Sequence, residues 1–295
     1  MRMTRRSRGT LFLLSRLFFL VAALEIGVTS FAIAAPPLTA ETLVEQLNAI
    51  SRPVRPSLGR IVMTVRNNIG EEEERWVADV ARKQFADGPR TLIVLQEPKE
   101  LQNNAFLIGQ RSHGDATLWL STPAFQRVRG ITPIDAYERF LRTDFTYSDL
   151  GLAPRRSAYR FLGEEQRNGA HAYKLEEAPQ DQGHYSRILT WLATDSLLPL
   201  RREYHDRAGQ LWKTEAFEQV TVIDGVPTPL RIRMQDLQQG RTTELQVSEI
   251  RFDVDLPDAL FQPQRLHEAA ISPLWQPYRT QVAQNTAAAH MTTMQ

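Results

Sequence analysis

Cysteine is absent from the chain. Its absence excludes disulfides, thiolate nucleophiles and cysteine-ligated metals, and removes the residue that carries the lipid of a bacterial lipoprotein. An excess of charge of either sign is missing too: 35 lysines and arginines face 34 aspartates and glutamates, a formal net charge of +1. No global field draws the chain to nucleic acid, and no nucleic acid is expected among its partners. The histidines form no HExxH arrangement, and His113, His171, His184, His205 and His267 read as isolated surface or rim residues. A nucleophile elbow is also lacking, and His205 and Asp206, being adjacent on a strand, point to opposite faces. The expectation is a protein without catalytic group, metal or cofactor.

What is present begins with Arg2, Arg5, Arg6, Arg8 and Arg16 ahead of an apolar run from Leu17, which ends in Ala32-Ile33-Ala34. A cationic stretch, an apolar core and a small-x-small site are the parts of a secretory signal peptide, expected over residues 1–34 with cleavage after Ala34. The competing reading is a retained anchor, against which Glu25 would cost a spanning helix about 2 to 3 kcal/mol. A periplasmic location follows from export. Residues 35–271 then form one domain, and residues 272–295, rich in Gln, Thr and Ala, are expected to be a disordered tail.

Within the domain, Thr39 is a plausible N-cap to a helix carrying Leu43, Val44, Leu47 and Ile50, ended by Pro53 and Pro56. The period then becomes alternating. Strands are expected over residues 59–66, 75–84, 91–96, 105–110, 117–121 and 126–131, and again over 158–165, 170–177, 187–194, 198–205, 212–223, 228–237 and 242–254. Turn sequences such as Asn67-Asn68-Ile69-Gly70 and Asp224-Gly225 make sequential neighbours antiparallel. Leu230, Ile232 and Met234 alternate with Arg231, Arg233 and Gln235, which is a half-buried strand. Leu245 and Val247 have one parity and Ile250, Phe252 and Val254 the other, so a bulge is expected near Ser248. Between the two sets of strands, Pro133, Ile134, Tyr137, Phe140 and Leu141 suit a second helix over 133–141, and the two helices together would cover the concave side of a curved sheet.

The glutamates from Glu71 to Glu74 read as a solvated hairpin rather than a cation site. Trp76, Trp119, Trp191 and Trp212 could stack on a ligand or simply fill the core. Arg202 shares its parity with Leu198, Leu200 and Tyr204, which puts a guanidinium on an apolar face; it either snorkels to water or bonds a headgroup or lid inside a lipid cavity.

The segment Asp144-Phe145-Thr146-Tyr147-Ser148-Asp149-Leu150 resembles the signature of the outer-membrane lipoprotein-sorting protein family, a LolA-like group. Leu118-Trp119-Leu120, Thr122-Pro123 and Arg127-Val128-Arg129 before it are similar to the family pattern. So are Leu198-Pro199-Leu200-Arg201, Glu203-Tyr204, Gly209, Pro227, Met234, Leu256-Pro257 and Phe261 after it. The resemblance spans roughly residues 58–266 as an ordered set of weak motifs. Departures are Asn103-Asn104 and Arg142 where the family has glycine, Ser148 for an acidic residue and Arg202 for an apolar one. The family implies a mainly β fold: a strongly curved antiparallel sheet, an incomplete barrel, covered by a few helices that lid an apolar cavity for acyl chains. Trp76, Phe106, Trp119, Phe145 and, from its parity, Arg202 are candidate ligand contacts, while the resemblance implies that Asp144, Tyr147 and Asp149 are structural, capping a turn beside the lid. The implied partners are lipid or lipoprotein acyl chains and an inner-membrane transporter; the open alternative is a structural subunit of an envelope complex.

Overall fold

A computed structural model describes residues 38–51, 54–110, 116–124, 128–131, 135–167, 169–180 and 183–275. The expected signal peptide, and the expected tail beyond Trp275, lie outside the described residues. The first helix, α1 (Ala40–Ser51), starts where Thr39 and Thr42 cap each other: each backbone N–H donates to the other's hydroxyl, at 3.0 and 3.2 Å. Leu43 is fully buried, whereas Ile50 at the frayed end is exposed.

Among the described residues thirteen strands follow and form a single antiparallel sheet that curves strongly without closing. They are β1 (Ser57–Arg66), β2 (Glu72–Phe85), β3 (Gly88–Glu97), β4 (Ala105–Gln110), β5 (Ala116–Ser121), β6 (Val128–Ile131), β7 (Ser157–Arg167), β8 (Ala170–Pro179), β9 (Tyr185–Ala193), β10 (Pro199–Asp206), β11 (Leu211–Ile223), β12 (Val226–Asp236) and β13 (Arg241–Phe252). The strand order is β6-β5-β4-β3-β2-β1-β13-β12-β11-β10-β9-β8-β7. The chain therefore starts in the middle of the sheet, runs out to one edge, crosses to the far edge between β6 and β7, and returns to pair β13 with β1.

Near that seam the parity change is a real bulge. Arg60 faces Glu249 and Ile61 faces Val247, so Ser248 is the extra residue, and its hydroxyl donates to Arg60 O at 3.2 Å. Gly59 sits beside it because a Cβ there would come within 2.4 Å of Glu249 O.

The expected second helix is absent. Pro133 and Ile134 lie outside the described residues, and Tyr137 to Leu141 run through a turn, a bridge at Arg139 and the start of a distorted 3-10 turn, Phe140–Arg142. The backbone bonds here go across rather than along: Tyr147 N–H donates to Glu138 O, Ser148 N–H to Ala136 O and Phe140 N–H to Phe145 O. Arg139 and Thr146 form a bridge, and Asp135 takes the Tyr137 N–H at 2.9 Å. Leu141 and Arg142 both have positive φ, which no helix accommodates. Two of the departures from the family pattern, Asn103 (φ 63°) and Arg142 (φ 59°), thus occupy left-handed positions that favour glycine.

Both faces of the sheet are covered. On one, Met63, Trp76, Leu95 and Ile108 from the first strands and Tyr185, Ile188, Tyr204, Met234 and Leu245 from the later ones enclose Tyr137, Phe140, Phe145, Tyr147 and Leu152 of the crossing segment 135–153. Further along that face, α1 packs Ala40 and Leu43 on Leu175 and Leu192. The cover is thus one helix and one irregular segment, where two helices were expected. The opposite face carries Leu58, Ala81, Leu92, Val94 and Leu107 under the C-terminal segment 254–275, which holds the short α2 (Leu266–Ala270). Packing continues past Ile271: the Trp275 ring is fully buried and its Nε1 donates to Ala269 O at 2.7 Å.

Candidate functional site

The signature segment is a small hairpin laid on the sheet and tied down by two carboxylates. Asp144 is fully buried; it accepts from Thr243 Oγ1 at 2.7 Å and from the Arg241 guanidinium at 3.0 Å, while its own N–H donates back to Thr243 Oγ1. Asp149 and Thr146 cap each other reciprocally, at 3.0 and 3.1 Å. The Asp149 carboxylate also takes the Tyr185 hydroxyl at 2.9 Å and Arg155 at 3.1 Å, and Arg155 continues to Glu177. Lys213, fully buried on β11, donates to Asp144 O at 2.8 Å and to the Tyr185 hydroxyl at 3.2 Å.

Burial pushes the Lys213 ammonium below its ordinary value and the Tyr185 phenol, beside Asp149, well above its own. The Tyr147 phenol is pushed up to about 12 by burial and by Glu138. The Tyr185 hydroxyl thus stays a donor to Asp149. Asp144, Asp149, Tyr185 and Lys213 each have a charged or hydrogen-bonding partner, as burial requires. Asp144 and Asp149 tie the segment to the sheet, and Tyr147 is buried in the cluster beside them.

The candidate ligand contacts divide between the two faces. Trp76 and Phe145 are buried in the cluster around segment 135–153, and Phe106 packs on its edge with its ring 6.2 Å from Phe140. Trp119 lies on the opposite face against the C-terminal segment. Its neighbour Leu118 takes the first face, and strand alternation sends the next side chain the other way. Arg202 is half-buried on β10. It pairs with the buried Glu215 at 3.2 Å, lies 5.1 Å from the Phe217 ring centre, and shares Glu215 with the Tyr204 hydroxyl at 2.6 Å. His205, expected at the rim, is buried instead.

Sequence reading missed Lys213, Tyr185, Arg155 and Glu177. Lys213 is opposite Tyr204 across β10 and β11, and only that cross-strand register reveals it as an inward lysine. Also missed is a cavity of about 670 Å³ on the opposite face, bounded by Leu58, Val254, Leu260, Ala269 and Leu274 with Arg251 among its lining. Among the described residues, no group of three or more His, Asp or Glu could hold a metal ion.

A family model described only as "uncharacterized protein" matches residues 87–268. The chain matches none of the curated proteins. Among solved structures it is similar to a putative outer membrane lipoprotein-sorting protein domain from Vibrio parahaemolyticus, with TM-score 0.69 and 25% identity over 77% of this chain and 97% of that one. It is also similar to a DUF1329 family protein from Desulfovibrio piger, with TM-score 0.68 and 27% identity over 76% and 95% of the two chains. A LolA superfamily protein from Nitrosomonas europaea shares the fold at TM-score 0.60 and 22% identity, over 77% and 98%. This chain belongs to the family of the model that matches residues 87–268, and its curved open sheet is the fold it shares with the lipoprotein-sorting domain, the DUF1329 protein and the LolA superfamily protein.

Proposed function

We propose that this protein is a non-enzymatic periplasmic carrier or acceptor of the acyl chains of a lipid or lipoprotein. In this reading residues 1–34 export it and an inner-membrane transporter supplies or receives its cargo. The observation that carries the reading is architectural. The sheet is left open, and its aromatic face is covered by a separate crossing segment rather than by closure of the strands, in a fold shared with a domain named for lipoprotein sorting. A cover of that kind can yield while the sheet persists. Burying an acyl chain contributes about 0.8 kcal/mol per CH₂, so affinity needs no catalytic chemistry.

A second reading, a structural subunit of an envelope complex, is favoured by one feature: Phe140, Phe145 and Tyr147 already fill the covered face, and Asp144 and Asp149 anchor them. Native mass spectrometry of the exported protein separates the two. The carrier reading expects bound masses of an acyl lipid that organic extraction removes. Lipid-free protein that also takes up no fluorescent fatty-acyl probe would establish the structural role instead.

A further inference from the structure

We propose that the cavity on the opposite face, beneath the C-terminal segment, is a binding site for a single-chain amphiphile with an anionic head, and that Arg251 receives that head. The site is distinct from the face covered by segment 135–153 and does not require that segment to move.

The walls are fixed before any ligand arrives. Lys83 on β2 donates to Leu256 O at 2.5 Å and pairs with Asp258 at 2.7 Å, and Arg90 on β3 donates to Phe261 O at 3.1 Å. Phe85 meets Phe261 edge-on at 5.5 Å, and the buried Trp275 donates to Ala269 O at 2.7 Å. These contacts hold the segment over the first strands while leaving about 670 Å³ between it and the β1–β13 seam, a volume in the range of small-molecule sites.

The lining selects the ligand class. Leu58, Val254, Leu260, Ala269 and Leu274 offer no polar side-chain partner, which suits an alkyl chain. Three charged residues stand in the lining. Arg265 and Glu268 pair with one another at 2.5 Å, while Arg251 is exposed and makes no ion pair among the described residues. The bulge at Ser248 produces this placement, because it resets the parity so that Arg251 stands opposite Leu58 and on the same face. An apolar chamber with one uncompensated guanidinium fits a carboxylate or phosphate head on a single chain.

The experiment measures binding of palmitate, palmitoyl-lysophosphatidylglycerol and uncharged monopalmitin to the mature protein by calorimetry. Ala259 lines the cavity and is only half-buried, so Ala259→Phe fills the space without crowding the core; it should weaken all three probes about tenfold or more. Arg251→Gln should weaken the two anionic probes about tenfold and leave monopalmitin within about twofold. Either anionic probe binding in this pattern supports the site: palmitate alone identifies a free fatty acid, and the lysophospholipid alone identifies a lipid headgroup. Equal affinity in the wild type and in folded Ala259→Phe overturns this site yet leaves the carrier reading intact, with the ligand on the other face. A wild type that binds no probe overturns both.

Discussion

His205 illustrates what burial does to one side chain. It is buried on β10, and its Nδ1 has no hydrogen-bond partner among the described residues. Burial, and after it the neighbouring Arg187, holds its pKa below the ordinary 6.5. Protonation would place a proton on a nitrogen with no acceptor, so the unfolded chain binds that proton more readily than the native one. The sign follows: the stability His205 contributes is present above its unfolded value and is lost as pH falls through the window from about 6.5 down to its lower folded value. His205→Gln should flatten the dependence of urea-unfolding free energy on pH across that window. An identical slope in the variant would show that another group carries the acid sensitivity. The sequence placed this residue at the rim because an isolated histidine next to Asp206 has no local sign of burial. Its neighbours across the sheet, Arg187 and Leu211, come from other strands.

At the scale of elements, each strand expected from alternation is present, since period-two patterning is a local property that the sheet only has to accept. The bulge was legible for the same reason: a parity change between Val247 and Ile250 is written in adjacent residues. Gly59→Ala tests it, because the added Cβ would approach Glu249 O to 2.4 Å. The variant should lose about 1 to 3 kcal/mol in denaturant unfolding, and an unchanged midpoint would mean that the bulge relaxes at no cost. The helix expected at 133–141 failed because apolar spacing says nothing about where backbone N–H groups find acceptors. Here Tyr147 and Ser148 reach back to Glu138 and Ala136, and the same aromatic residues are buried in another conformation. Trp119 shows the complementary limit. Alternation separates it from Leu118, but which of two apolar faces each one takes depends on the segments that cover them.

For the whole molecule, the decisive feature is the β1–β13 seam, which pairs Ser57 with Phe252 and could not be read from neighbouring residues. It joins two meanders that are also connected by the crossing segment, by the C-terminal cover and by α1, which packs Leu43 on Leu175 and Leu192. Segment 135–153 bonds through Asp144 to Thr243 in the second half and packs Phe140 against Phe106 in the first. The C-terminal segment follows β13 but covers Leu92, Val94 and Leu107 of the first meander. Separating the halves would leave β1 or β13 as a long edge with its Met63 or Leu245 row uncovered, the arrangement that sheets avoid. Residues 38–131 and 157–275, produced separately, should therefore show no cooperative thermal transition by circular dichroism. The intact chain should unfold in one step, with near- and far-ultraviolet signals coinciding. Long-range pairing of this kind also makes refolding slow relative to a sheet built from local hairpins alone. A sigmoidal melt from either fragment would show that the seam joins two independent units, and that a ligand could open the molecule there instead of beneath either cover.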